Sequence, residues 1–174
     1  APALAALVSH IAASSDALWG LDFPFALPIE LFPEGTTFPD QLRLIAAHPG
    51  DAPSWGRTCV ATSQRLLGRM HVRRLTDLQT KTPFDCYHYR IVHQSFHGQR
   101  DVLLPLLSTP GTAILPMHLP KHPAPITRAL VEACPASSLK RWSLPHQNYN
   151  KTPPGPLTRT RLYVRKTRTT IHLH

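Results

Sequence analysis

Hydrophobic positions near the start of the chain change from a helical spacing to a continuous run. Apolar side chains recur every three or four residues at Leu4, Leu7, Val8 and Ile11. This period predicts a helix over Ala3–Ser14. The next apolar run, Ala17–Phe25, is too short for a helix and is closed by Pro24, so it predicts a buried strand that ends near Asp22. A helix followed by a buried strand is typical of α/β proteins.

The middle of the chain has the pattern of three helices. Thr37 and the proline that follows shortly after it are typical of a helix start, leading into Gln41–His48. Ser54–Leu67 is a second helical segment, ended by a glycine. Thr82–Leu107 has the pattern of a third, much longer helix that is interrupted only by Gly98.

Two short apolar runs after this region predict two more strands, Gly111–Met117 and Arg128–Cys134. Pro135 is expected to begin a short helix that continues through Trp142. A last candidate helix follows the Pro/Gly-rich linker Lys151–Pro156. Together with the helix and buried strand at the start of the chain, these elements predict an α/β fold.

Composition adds that the chain is basic at one end only. The 174 residues are 42% hydrophobic, which suits one folded domain, and their formal net charge is +9. Up to Asp101 the chain has nine basic and nine acidic residues, whereas after it there are ten basic residues and a single acid, Glu132. The whole excess of positive charge therefore falls in the last 73 residues.

Several classes of protein are disfavoured by what the sequence lacks. The cysteines Cys59, Cys86 and Cys134 are widely spaced and include no CxxC pair, which predicts reduced thiols and a cytoplasmic protein. No run approaches the roughly 18–20 apolar residues that cross a bilayer, so we expect no association with a membrane. Phosphate-binding glycine motifs are also missing, so we expect no nucleotide cofactor.

Two carboxylates on the predicted strands are the strongest candidates for chemistry. Asp22 falls where a buried strand ends, the position at which open α/β sheets bind their ligands. Glu132 stands within the apolar run Leu130–Cys134. Buried carboxylates require a basic partner or a metal ion, and their oxygen atoms suit Mg²⁺ or Mn²⁺. The alternative is that each carboxylate pairs with an arginine or caps a helix.

Other polar clusters have two interpretations each. His93 and His97 have the spacing of a zinc-binding pair, but no third ligand is recognisable, which favours packing and hydrogen bonding. The pair Arg73 and Arg74 is expected to interact with the neighbouring Asp77.

The basic segment Thr158–Arg168 has the composition of a segment that contacts phosphates, and Arg159 and Arg161 are its candidate contacts. The alternative is a solvated helix face or a frayed terminus.

Three motifs in a fixed order resemble a known family. They are Asp22–Pro28, Val131–Leu139 and Gln147–Lys151, and together they are similar to the successive motifs of domain of unknown function 429. Members of that family are described as predicted nucleases with a ribonuclease-H-like fold. The segment Thr82–Leu106 resembles a helical insertion found in a subgroup of the family.

The resemblance implies a ribonuclease-H-like mixed sheet flanked by helices over residues 1–150, with a helical insertion at about 38–108 and a separate basic segment at 151–174. It also implies a metal-dependent nuclease that hydrolyses phosphodiester bonds. Asp22 and Glu132 would be its catalytic residues and would hold Mg²⁺ or Mn²⁺. Lys151, near the last motif, is a candidate for phosphate contact together with Arg159 and Arg161.

The chain departs from the family at both ends. The family begins with a strand that carries a Gly-x-Asp motif, and we expect this chain to start after that point. The family also ends with a helix that carries an Asp-Ala motif, whereas the last acidic residue here is Glu132. We therefore expect an incomplete domain that lacks part of the acidic cluster, which argues against full catalysis. The alternatives are a non-catalytic nucleic-acid-binding protein that acts through its basic C-terminal third, or a truncated chain without independent function.

Overall fold

The structure is a computed structural model that describes residues 2–118 and 125–143. The predicted substrate contacts Lys151, Arg159 and Arg161, and the whole basic segment 151–174, lie outside the described residues. In the described ranges, no helix is both long enough and apolar enough to cross a membrane.

The described part of the chain contains both helices and strands, and its middle is helical, as the sequence predicts. Before the sheet is completed the elements are α1 (Pro2–Ala13), β1 (Ala17–Leu21), a short 3₁₀ helix (Ile29–Leu31), α2 (Phe38–Ala46), α3 (Ala52–Leu67) and α4 (Leu75–Gln79). A continuous helical segment follows, made of α5 (Val92–His97), a π-helical stretch (Gly98–Leu103) and α6 (Leu104–Leu107). The last elements are β2 (Thr112–Leu115), β3 (Arg128–Glu132) and α7 (Pro135–Arg141).

The three described strands form a parallel sheet in the order β1-β3-β2. Leu21 of β1 is in register with Glu132 of β3, so the carboxyl ends of these two strands meet at the same edge of the sheet. The α/β class is confirmed. The mixed sheet expected from the family resemblance is not found in this part of the chain, because every described strand pair is parallel.

Two hydrophobic clusters form the core, and α2 contributes to both. The first joins α1, the sheet and α6, with the buried residues Ile11, Leu21, Phe25, Phe38, Leu42, Val102, Leu103, Leu106, Ile114 and Leu130. The second lies around α3 and α5, with Leu27, Leu31, Ile45, Ala52, Cys59, Cys86, Tyr87 and Phe96. Burial raises the pKa of the Cys59 thiol to about 12, so this thiol is a neutral core side chain.

The predicted start of α2 and end of α3 are confirmed, whereas α3 begins at Ala52, two residues before the predicted Ser54. Thr37 caps α2 in a capping box with Asp40. Asp51 caps α3, where its carboxylate accepts from the backbone N–H of Ser54 at 2.9 Å. Gly68 ends α3 in the left-handed conformation with φ 68°, which a glycine adopts without steric cost.

The long helix predicted over Thr82–Leu107 is wrong in its first ten residues, because the helix begins only at Val92. Asp85 is the physical reason. Its carboxylate accepts from the backbone N–H of Tyr87 at 3.1 Å, a local bond that replaces the helical pattern with a turn. Pro83 also disfavours the helical conformation of the residue before it.

Arg128 is one of the ten basic residues of the C-terminal third, but it is only 8% exposed and forms three hydrogen bonds within the fold. Its Nε donates to the carbonyl oxygen of Ser14 at 2.9 Å. Its Nη1 donates to the carbonyl oxygen of Pro110 at 2.7 Å and to Oγ1 of Thr112 at 2.9 Å. Arg128 therefore joins the chain before β1 to the start of β2 and is not a cation available to a ligand.

The π-helical stretch packs on the loop that follows β1. Pro105 lies in the next turn and has no N–H to offer the carbonyl four residues earlier, which accounts for the irregular hydrogen bonding here. Gly98 lies against the ring of Phe23, and the buried Gln99 donates from Nε2 to the carbonyl oxygen of Pro24 at 2.9 Å. The absence of a side chain at Gly98 thus sets how closely the loop approaches.

We expect Gly98→Ala to destabilise the fold by about 1–3 kcal/mol, the usual cost of overpacking. A Cβ at this position would lie 2.4 Å from the ring of Phe23. In a Phe23→Ala background the same substitution should become neutral or stabilising, because alanine is the better helix former once the ring is removed. Urea unfolding of the four proteins measures this, and an equal cost in both backgrounds would contradict the packing argument.

Candidate functional site

Glu132 ends β3 at the carboxyl edge of the sheet, and both of its oxygen atoms are engaged. Nη2 of Arg74 donates to Oε1 at 2.7 Å, and Nη1 of Arg74 donates to Oε2 at 2.8 Å. The backbone N–H of Phe25 also donates to Oε2, at 2.9 Å. The carboxylate therefore holds together β3, the loop after β1, and the segment before α4.

Arg74 uses all five of its N–H groups in this arrangement. Besides Glu132, it donates from Nε to Oδ2 of Asp77 at 3.0 Å and from Nη2 to Oδ1 of Asp77 at 2.7 Å. The remaining N–H donates from Nη1 to the carbonyl oxygen of Ala26 at 3.2 Å. A guanidinium has five donors, so Arg74 has none left for a ligand phosphate.

The electrostatics of this cluster favour a charged guanidinium. Burial lowers the pKa of Arg74, but the hydrogen bonds that it donates to Glu132 and Asp77 more than offset this, and the pKa is raised. The side chains of Arg74 and Asp77 are only 12% and 6% exposed, whereas that of Glu132 is 33% exposed. Low exposure limits solvent screening, so these pairs are stronger than ordinary surface ion pairs.

Asp22 directly follows β1 and lies one residue beyond the partner of Glu132 in the sheet register. Its side chain is exposed, yet partial burial raises the pKa of its carboxyl group. Within residues 2–118 and 125–143, this carboxylate has no hydrogen bond or ion pair. The structure thus brings both predicted acids to one edge of the sheet and gives them different surroundings.

Glu132 lies in a strand, as predicted, but it is the last residue of β3, which ends two residues before the predicted Cys134, and a third of its side chain is exposed. The alternative, that this carboxylate pairs with an arginine, is confirmed. The predicted pairing of Arg74 with Asp77 is also confirmed.

The carboxylate oxygens at this edge of the sheet are not arranged to coordinate a divalent cation. Mg²⁺ and Mn²⁺ need several oxygen ligands, and the oxygens of Glu132 already accept three N–H donors. In the described part of the chain, no group of three or more His, Cys, Asp or Glu side chains is placed to hold a metal ion. The cation that this edge contains is the guanidinium of Arg74.

The histidine pair of α5 has hydrogen-bonding and packing roles, as predicted. Nδ1 of His97 lies 2.8 Å from Oδ2 of Asp101, and the rings of His93 and His97 are stacked with their centroids 6.2 Å apart. The guanidinium of Arg100 lowers the pKa of Asp101 by hydrogen bonding, and it covers the ring of Phe96 at 4.5 Å.

Sequence reasoning missed that Arg74 is the partner of Glu132. The two residues are 58 positions apart, and nothing in the local pattern joins them. The usable signal was the rule that an acid on a core strand needs a basic partner, applied to arginines outside the strand regions. The pairing of His71 with Asp85 was missed for the same reason.

Comparisons of the chain with protein-family models, with curated proteins and with solved structures found no match. The resemblance to the family named above therefore stays a prediction.

We expect Arg74→Ala to destabilise the protein by about 3–5 kcal/mol, because it leaves two carboxylates without their shared cation. Arg43→Ala is the matched control, since Arg43 pairs with Asp40 in a salt bridge whose side chains are 66% and 47% exposed. That substitution should cost less than about 1 kcal/mol. Denaturant unfolding monitored by circular dichroism compares them, and similar costs would contradict a structural role for Arg74.

Proposed function

We propose that this chain is a nuclease-like domain that binds nucleic acid without hydrolysing it, through its basic C-terminal third. The observation that carries the proposal is the complete use of Arg74 at the carboxyl edge of the sheet, where its guanidinium is bonded to Glu132 and Asp77. Because Arg74 neutralises Glu132, this edge of the sheet is poorly suited to hydrolysis. Binding of nucleic acid through another part of the chain is favoured instead.

The distribution of charge supports binding through the C-terminal third. Of the ten basic residues after Asp101, only Arg128 is committed to the fold among those that the structure describes. Lys140 and Arg141 are exposed in the last turn of α7. Lys151, Arg159 and Arg161 follow in the sequence, in a region with no acidic residue after Glu132. Such a segment attracts phosphates through counterion release.

A salt titration of the full chain with a generic DNA duplex tests this proposal. We expect log affinity to fall linearly with log salt, and Arg159→Gln/Arg161→Gln to reduce the slope by about 1.8, since each phosphate contact contributes about 0.9. Arg65→Gln/Arg69→Gln is the control with the same change in charge, because both arginines are exposed near the end of α3. Equal slopes for the two double variants would contradict the proposal.

The alternative proposal is a metal-dependent nuclease that uses Asp22 and Glu132 with Mg²⁺ or Mn²⁺. The register of Leu21 with Glu132 favours it, because it brings the ends of two parallel strands to one edge. For the metal to bind, Glu132 would have to exchange Arg74 for the cation.

The two proposals differ in what Asp22→Asn does to the full chain incubated with DNA or RNA and Mn²⁺. A nuclease would lose turnover in this variant and in EDTA while keeping its binding. The control is Asp16→Asn, an exposed acid just before the opposite end of β1. Turnover that is lost in Asp22→Asn but not in Asp16→Asn would overturn the non-catalytic proposal.

A further inference from the structure

A cavity of about 580 Å³ lies between α3 and the opposite wall formed by segments around residues 70–71, 87–89 and 92–93. This volume is in the range of small-molecule sites. Successive turns of α3 line this cavity, with Gly56, Arg57, Val60 and Ala61. None of its lining residues belongs to the cluster of Arg74, Asp77 and Glu132.

Close packing and one buried tyrosine fix the position of the wall opposite α3. A Cβ at Gly56 would lie 3.1 Å from Cγ2 of Val92 and 3.3 Å from the carbonyl oxygen of Tyr87, so α3 approaches the other wall as closely as glycine allows. The hydroxyl of Tyr87 accepts from the backbone N–H of Val72 at 2.7 Å and lies 3.3 Å from the carbonyl oxygen of Met70. Burial raises the pKa of Tyr87, so this hydroxyl stays neutral. The wall is therefore built before any ligand arrives.

His71 is oriented in this wall by a buried acid. Its Nδ1 lies 2.8 Å from Oδ2 of Asp85, whose side chain is 3% exposed. The other oxygen of Asp85 accepts from the backbone N–H of Tyr87. A carboxylate only accepts hydrogen bonds, so the proton between the two side chains belongs to Nδ1 of His71. In the neutral ring Nε2 then carries the lone pair and accepts a hydrogen bond, on a side chain that is 49% exposed.

No acidic side chain lines the cavity, although the buried Asp85 contacts His71 from behind the wall. The lining contains one arginine, Arg57, and two histidines, His71 and His93. The rest of the lining is largely apolar or aromatic. This combination favours a ligand with an apolar body and an anionic group, because the anion meets the guanidinium of Arg57 and no carboxylate in the lining.

The aromatic residues indicate the shape of that body. The ring of His71 is nearly parallel to that of Tyr87, at 13° with centroids 6.1 Å apart, and the exposed Tyr89 lines the same cavity. Flat rings gain from such walls beyond the area that they bury. We propose that this cavity binds an aromatic carboxylate, whose ring packs on Tyr89 and the apolar side chains of the lining and whose carboxylate is bound by Arg57.

Isothermal titration of the full chain with three probes of one shape tests the chemistry of the ligand. The probes are 2-naphthoate, the neutral 2-naphthalenemethanol and the cationic 2-naphthylmethylamine. We expect 2-naphthoate to bind about tenfold more tightly than the alcohol, as for one charge-assisted hydrogen bond, and the amine to bind most weakly. Equal affinities for the three probes, or no binding of 2-naphthoate, would overturn the proposal.

Two variants test the location of binding. Ala61→Trp fills the cavity from an exposed helix position and should abolish binding of 2-naphthoate without changing the thermal unfolding midpoint. Arg57→Gln should weaken it about tenfold. Arg65→Gln is the matched control, since this exposed arginine of α3 does not line the cavity. Binding that persists in Ala61→Trp, or that falls equally in Arg57→Gln and Arg65→Gln, would contradict this site.

Discussion

The arrangement of this fold depends on the hydrogen bonds that the guanidinium of Arg74 donates. It joins three parts of the chain that are distant in sequence: the loop after β1 through Ala26, the start of α4 through Asp77, and the end of β3 through Glu132. Two carboxylates share this single cation, so the loss of Arg74 would leave both without their partner. The helical region and the sheet are thereby locked together at the edge where α/β proteins commonly bind ligands.

Local patterns predicted the elements that depend on local signals. The caps Thr37, Asp51 and Gly68 are recognisable because each forms its hydrogen bonds within a few residues. The strands were found because they are short apolar runs between turn residues. The helix predicted from Thr82 failed because Asp85 bonds to the backbone of Tyr87 and to His71, and the second of these contacts spans 14 residues. Periodicity does not report such a contact.

The candidate site shows the same division. The location of Asp22 at the end of one strand and of Glu132 in another followed from the sequence, whereas the end of β3 at Glu132 did not. The surroundings that decide the chemistry of these two acids could not be predicted from the sequence. Arg74 lies in the helical region and Glu132 in the sheet, so the two contact each other only in the folded chain. Arg128 is a comparable case: a charge count includes it among the basic residues, and only the fold reveals that its donors are used internally.

The strand order has a consequence for how this sheet could grow. β3 is paired on both sides, so any additional strand, from this chain or from another molecule, can join only beside β1 or beside β2. β1 carries the apolar Leu18, whose surface is 61% exposed in the described part of the chain. An outer strand with an uncovered apolar side chain is a template for strand addition. A strand added beside β1 would lie next to the strand that Asp22 follows. It would leave β3 unchanged, the central strand whose Glu132 is bound by Arg74.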